Sequence, residues 1–285
     1  MTRRFLPYSV VGLLLAGGTN LQAAFNFEVS GVQTQIFDTT TDVPGSGTSG
    51  NFDSGTVVGD FAVFDMDAVD DANGTRSDFA DLRVTYAADN GSVGADIMIA
   101  RTSDSQGLTD SGTITILVGN INSGGGTVTL DFDWFTPGSF VGGVEQASSS
   151  QLSTRINYTT FDIDFEQLVR VQRAEVDNYT LDNPTLLTAT DNGTTISFED
   201  SGATSSFGDP DAAAQFLTTD AIASHTVEVG KQNDAGNALF MFEFRDPSDV
   251  VTFLDPDTTP VPEPAILPLW SALFGLLSVM RRRRV

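Results

Sequence analysis

The sequence predicts a mainly β protein, a jelly-roll-like β-sandwich carrying an N-terminal signal peptide and a C-terminal transmembrane helix. Three observations predict it. Short stretches alternate apolar and polar residues with a period of two, the mark of strands with one buried face. Turn signals separate them: Asn73-Gly74, Asn90-Gly91, Asn192-Gly193 and Ser123-Gly124-Gly125-Gly126. The two ends break the pattern, each with a short uncharged apolar run near arginines.

Arg3-Arg4 forms a basic leader, residues 10–16 an apolar run, and Leu21-Gln22-Ala23 a cleavage site, so residues 1–23 read as a signal peptide. Phe5-Leu6 follows the arginine pair at once, one residue short of twin-arginine spacing, which points to Sec export. The apolar run is too short for the alternative, an uncleaved anchor. Strands follow at 25–29, 57–67, 81–87, 95–100, 113–118 and 127–135, with a Gly/Ser/Thr-rich loop at 42–50. Beyond Gly142-Gly143 further strands are expected at 155–165, 167–176, 179–181, 186–189 and 194–199. Asp209 as N-cap and Pro210 at the first helical position predict a short helix over 211–217. Strands at 226–229, 238–245 and 250–254 and a linker at 255–260 complete the body.

Residues 142–151 are the candidate boundary between a lobe at 24–141 and one at 152–254, which otherwise form one continuous domain. Phe64-Asp65-Met66-Asp67 recurs as Phe161-Asp162-Ile163-Asp164 and, in alternation, as Leu130-Asp131-Phe132-Asp133-Trp134. On a strand, such a pattern turns the apolar residues inward and both aspartates outward.

The chain has no cysteine, so an exported form relies on its core and on any bound ions for stability. Between residue 24 and Pro264 lie all 38 acidic residues and eight of the 14 basic ones, a net charge of −30. That charge excludes nucleic acid and anionic lipid as partners of the body and favours divalent cations. It also makes copies of the chain repel one another unless cations screen them.

The last residues are tripartite. Val261-Pro262-Glu263-Pro264 is followed by an uncharged stretch at 265–280 and then by Arg281-Arg282-Arg283-Arg284-Val285. As a helix the stretch spans roughly 24 Å, and snorkelling arginines extend its reach toward a hydrocarbon core of ~30 Å. Pro268 is tolerated because it falls in the first turn. The arginines stay cytoplasmic and put everything before the span outside. Pro-Glu-Pro is neither helix nor central strand, because proline removes donors and biases its neighbour to extended backbone. This tail resembles the PEP-CTERM sorting signal of Gram-negative bacteria over about a tenth of the chain. The resemblance implies processing near the motif by an integral-membrane exosortase after an inner-membrane stage. A plain tail anchor has no need of Pro-Glu-Pro, and a glycosylphosphatidylinositol signal normally ends apolar.

Asp65, Asp67, Asp70, Asp71 and Asn73 run into Gly74, a density of oxygen ligands with a turn-forming glycine that suits Ca²⁺. The spacing is not that of an EF-hand, for Asp78 does not fill the twelfth position; the alternative is a solvated acidic loop. Asp162 and Asp164 form a second, weaker pair on the outward face of a strand. Neighbouring carboxylates on one strand are ~6.5 Å apart and do not oppose each other as a glycosidase pair must. One histidine, His225, and no cysteine exclude a Cys-His nucleophile and a multi-histidine zinc site, and no Gly-x-Ser-x-Gly elbow occurs. His225 reads as a surface or strand-end residue. Trp134, Phe135 and Phe140 offer a sugar-stacking platform, but Trp134 shares the face of Leu130 and Phe132, which favours the core.

The sequence therefore implies a non-catalytic protein of the cell envelope or extracellular matrix, with exosortase, the membrane and envelope or exopolysaccharide components as partners. A calcium-dependent carbohydrate-binding module is the alternative, and an exported glycosidase stands behind it.

Overall fold

A computed structural model describes residues 26–36, 53–54, 56–70, 75–90, 96–102, 112–200, 202, 209–219, 222–245 and 253–261. Its strands in chain order are β1 (Asn26–Thr34), β2 (Asp53–Ser54), β3 (Phe61–Asp70), β4 (Thr75–Asp89), β5 (Asp96–Arg101), β6 (Ile114–Ile121), β7 (Gly126–Phe135), β8 (Phe140–Val141) and β9 (Val144–Glu145). They continue with β10 (Asn157–Phe161), β11 (Gln167–Gln172), β12 (Val176–Leu181), β13 (Leu187–Asp191), β14 (Thr195–Asp200), β15 (Ala214–Thr218), β16 (Ser224–Lys231), β17 (Gly236–Glu243) and β18 (Asp257–Pro260).

Two eight-stranded antiparallel sheets result. The first has the order β1-β3-β4-β7-β16-β11-β14-β13 and the second β18-β12-β15-β10-β17-β6-β5-β2, while β8 and β9 form a separate hairpin. Both sheets contain strands from either side of residues 142–151, and β7 is hydrogen-bonded to β16 along its whole length. Alternate residues of the two sheets meet in one core. Phe64, Leu82, Phe132, Val169 and Phe198 enter from the first sheet, and Ile97, Ile116, Tyr158, Phe216 and Phe240 from the second. The molecule is thus a β-sandwich, as the alternating pattern predicts.

The expected helix at 211–217 does not form. Asp209 does cap a turn, its carboxylate accepting the Asp211 N–H at 3.0 Å, but the turn is a single 3-10 one over Pro210–Ala212. The chain then enters β15, which pairs on both sides, with β10 and β12. Ala214, Phe216 and Thr218 are buried at period two, and this central position outweighs a helix-start signal.

Residues 255–260, expected as a linker, also take a different form. Asp257–Pro260 is the edge strand β18, paired with β12.

The strand expected over 155–165 stops at Phe161. Asp162, Phe165 and Glu166 take positive φ angles of 68°, 50° and 63°, so 162–166 is a tight loop. Asp162 and Asp164 are therefore not on an outward strand face. Asp164 is buried and accepts a hydrogen bond from Gln167 Nε2.

Candidate functional site

Residues 136–150, between β7 and β10, lie against the outer face of the first sheet. The Thr136 N–H donates to Ser150 O and the Gln146 N–H to Ser139 O, which closes a compact turn around the β8–β9 hairpin. Phe140 from this hairpin packs on Val63 and Phe135, which point away from the main core because their neighbours Phe64 and Trp134 point into it. The Phe135 and Phe140 rings meet edge to face at 5.1 Å. Arg83 ties the hairpin to the sheet. Its guanidinium pairs with Asp133 at 2.7 Å and Glu145 at 3.7 Å and lies 5.1 Å from the Phe135 ring centre.

Beside the hairpin is a cleft of about 350 Å³ floored by β1, β3 and β4. Four carboxylates line it: Asp65 and Asp67 from β3, Asp78 and Asp81 from β4. The strand register explains the cluster, since Asp65 pairs with Asp81 and Asp67 with Asp78. Asp65 Oδ1 accepts from Gln33 Nε2 at 2.6 Å, and Asp67 Oδ1 from the Ser30 hydroxyl at 2.9 Å. Gly31 makes room for Asp65: a Cβ there would stand 2.3 Å from Asp65 Oδ2. Asp81 is buried and accepts the Phe140 N–H at 2.8 Å. Burial raises its pKa above the ordinary carboxylate value, and repulsion from Asp65 adds to the rise, against the lowering effect of the Phe140, Gly138 and Ser139 amides. Among the described residues, no lysine or arginine lines the cleft. Such an acceptor-rich floor suits a group that brings hydrogen-bond donors or positive charge. The register sets the four carboxylates on the adjacent strands β3 and β4.

Of the residues the sequence proposes for Ca²⁺, the structure brings Asp65 and Asp67 to this cleft. Asp70 is the last residue of β3, paired with Thr75, and Asp71 and Asn73 lie outside the described residues. Among the described residues, no group of three Asp, Glu or His side chains is placed to hold a metal ion. Asp78 and Asp81 escape a reading by local spacing. The Asn73-Gly74 pair in the sequence is a hairpin signal that could have found them, because β4 runs back antiparallel along β3.

His225 is a correction. It lies second in β16, yet it is only 2% exposed, because β16 is a central strand that sets it opposite Phe132. Its ring is stacked between Phe132 at 4.9 Å and Tyr158 at 5.0 Å, and among the described residues neither ring nitrogen has a hydrogen-bond partner. Burial lowers its pKa to about 3, so the ring is neutral at ordinary pH. Trp134 is fully buried against Phe27 and Phe244, while Phe135 and Phe140 are buried under the hairpin, so the three form no exposed platform.

Of the tail, Val261 is described: its N–H donates to Asp177 O at 2.7 Å, and its side chain packs against the main core. Pro262, Glu263, Pro264 and Arg281, Arg282, Arg283 and Arg284 lie outside the described residues, as do the predicted span at 265–280 and the signal peptide at 1–23. Among the described residues, no helix is long and apolar enough to cross a membrane.

No family model and no curated protein matches the chain. Among solved structures it is similar to the N-terminal domain of the Streptococcus gordonii adhesin Sgo0707, at 9% identity and a TM-score of 0.39. The match covers 78% of this chain and 62% of that one, so the chain spans less than two thirds of that domain's length. A likeness at this level leaves function to be argued from this chain's own residues.

Proposed function

We propose that this is an exported protein of the Gram-negative cell envelope or extracellular matrix, with a structural or interaction role and no catalysis. It leaves the cytoplasm by Sec, is held in the inner membrane by residues 265–280, and is processed at its tail by an exosortase. The observation that carries this reading is the order of parts at the C-terminus: Val261-Pro262-Glu263-Pro264, an uncharged stretch, then four arginines. A sandwich without disulfides, with a net charge of −30 between residue 24 and Pro264, fits a soluble body delivered beyond that membrane. The test is the intact mass of the protein from native cells, in envelope and secreted fractions. A species ending near Pro264 supports processing, whereas one retaining Arg281-Arg282-Arg283-Arg284 makes the tail a permanent anchor and overturns it.

We infer a second reading, a calcium-dependent module that binds carbohydrate of the exopolysaccharide matrix. The cleft's acceptor-rich floor suits hydroxyl-rich ligands, and the calcium dependence rests on the sequence set Asp65, Asp67, Asp70, Asp71 and Asn73 rather than on a metal site among the described residues. A glycan array probed with and without Ca²⁺ decides it. Binding that needs Ca²⁺ and is lost in Asp65→Asn supports the module; no binding to any glycan overturns it.

A further inference from the structure

Phe161 ends β10 of the second sheet and Gln167 begins β11 of the first, so residues 162–166 carry the chain from one sheet to the other. The Gln167 N–H donates to Asp164 O at 2.9 Å, and Gln167 Nε2 donates to Asp164 Oδ1 at 3.2 Å. Both bonds hold the Gln167 side chain beside the Asp164 carboxylate. β14 adds a third side chain. Val169 and Phe198 pair across β11 and β14, and both enter the core. Two residues further along each strand, the same register sets Gln167 and Asp200 side by side on that inner face. The Gly202 N–H donates to Asp200 Oδ2 at 2.9 Å and orients that carboxylate.

These three side chains are nearly closed to water: Asp164 is 5% exposed, Gln167 4% and Asp200 6%. Gln167 Oε1 and Asp200 Oδ1 are buried with no hydrogen-bond partner among the described residues. A buried acceptor without a donor is costly and rare, and here two of them adjoin a buried carboxylate. Asp162 brings further negative charge, and burial first and Asp164 second push its pKa up to about 6. Lys231, opposite Gln167 on β16, directs its ammonium to Asp234 at 3.1 Å. The site lacks a cation that accepts several oxygens at once.

We propose that Asp164, Gln167 and Asp200 form a Ca²⁺ site that ties the β10–β11 crossing to the end of β14. Ca²⁺ takes carboxylate, amide and main-chain carbonyl oxygens in a flexible geometry, whereas Mg²⁺ demands a near-ideal octahedron and dehydrates reluctantly. Two carboxylates and an amide oxygen make up the set, which accords with there being no three-carboxylate group among the described residues. The site stands on other strands than the acidic cleft and the Asp65–Asn73 set, and it depends neither on them nor on the tail. In a chain without cysteine, an ion at this crossing fastens the two sheets where a disulfide cannot.

The test uses the full-length protein, purified in detergent, stripped of metal and then titrated with Ca²⁺ or with Mg²⁺ at the same concentration. Ca²⁺ is expected to bind with a Kd of about 10⁻³ M or tighter and to raise Tm more than Mg²⁺ does. Gln167→Met and Asp200→Asn should each weaken that binding by roughly tenfold or more, because each removes an oxygen ligand or its charge. The double variant Asp65→Asn/Asp67→Asn should leave it unchanged. Without Ca²⁺, Asp200→Asn should melt no lower than wild type, since it removes a buried negative charge; with Ca²⁺ it should melt lower. A packing role alone would lower its Tm by the same amount in both conditions, and that result overturns the site. So does a protein that binds no Ca²⁺ up to about 10⁻² M, well above the range of extracellular modules. Binding that is lost in Asp65→Asn/Asp67→Asn but kept in Gln167→Met and Asp200→Asn assigns the ion to the cleft and also overturns the proposal.

Discussion

His225 and Asp162 pull stability in opposite directions as pH changes. The His225 pKa is lowered to about 3 by burial, so the unfolded chain takes up its proton first, from about pH 6.5 downward. Stability from the neutral ring is complete above about pH 6.5 and is lost toward pH 3, at about 1.4 kcal/mol per unit. His225→Phe keeps the stack on Phe132 and Tyr158 and removes the titration. Urea melts of the two proteins should agree or favour the variant at pH 7.5 and diverge in its favour below pH 6; parallel curves down to pH 4 would contradict the buried neutral imidazole. Asp162 has its pKa raised to about 6 by burial first and by Asp164 second. A raised carboxyl contributes stability below its unfolded pKa near 3.8, and that contribution is lost as pH rises through 6. Asp162→Asn, which also suits the positive φ at that residue, should therefore stabilise the protein by about 1–2 kcal/mol at pH 7.5 and by little at pH 4.

The β8–β9 hairpin is fastened to the first sheet through Phe140 and through the Arg83–Glu145 pair. Phe140 fills the space between Val63 and Phe135, and its amide satisfies the buried Asp81 carboxylate. Phe140→Ala should cost about 3 kcal/mol, the usual penalty for emptying a buried aromatic site. It should also loosen residues 136–150 without melting the main core. Hydrogen exchange would then rise in 136–150 while β7 and β16 stay protected. A uniform rise across both sheets would mean that the hairpin is part of the core. β18 is attached to β12 by its backbone and by the Thr180–Thr258 hydroxyl contact, with no buried side chain of its own.

For the whole molecule the governing quantity is charge. Ion pairs such as Arg170–Glu228 and Arg76–Glu28 relieve repulsion locally, but eight basic residues cannot balance 38 acidic ones. The body should therefore gain stability with added salt, as its self-repulsion is screened over a Debye length that falls from ~30 Å at 0.01 M to ~3 Å at 1 M. Thermal melts of the purified body in rising NaCl should show an increase in Tm. Ca²⁺ at matched ionic strength should add to it only if the Asp164–Gln167–Asp200 set, the acidic cleft, or the Asp65–Asn73 set the sequence suggests, binds the ion.

Period-two alternation was enough to establish a sandwich and most of its strands, because burying one face of a strand constrains every second residue. Residues 64–67 show this: Phe64 and Met66 are buried, and Asp65 and Asp67 line the cleft. The same four-residue pattern at 161–164 has another outcome, since a loop with positive φ follows Phe161 and takes Asp164 inside. Local pattern does not say which strand lies beside which. Only the tertiary structure seats His225 between two aromatic rings, makes 214–218 a central strand, and adds Asp78 and Asp81 to Asp65 and Asp67. Each depends on a neighbour tens of residues away or on a turn that sets the register, as does the pairing of β18 with β12, whose partners run from Leu181–Asp257 to Asn178–Pro260. The tail is the reverse case. Its order of proline motif, apolar stretch and arginines is carried by adjacent residues and is legible in the sequence by itself.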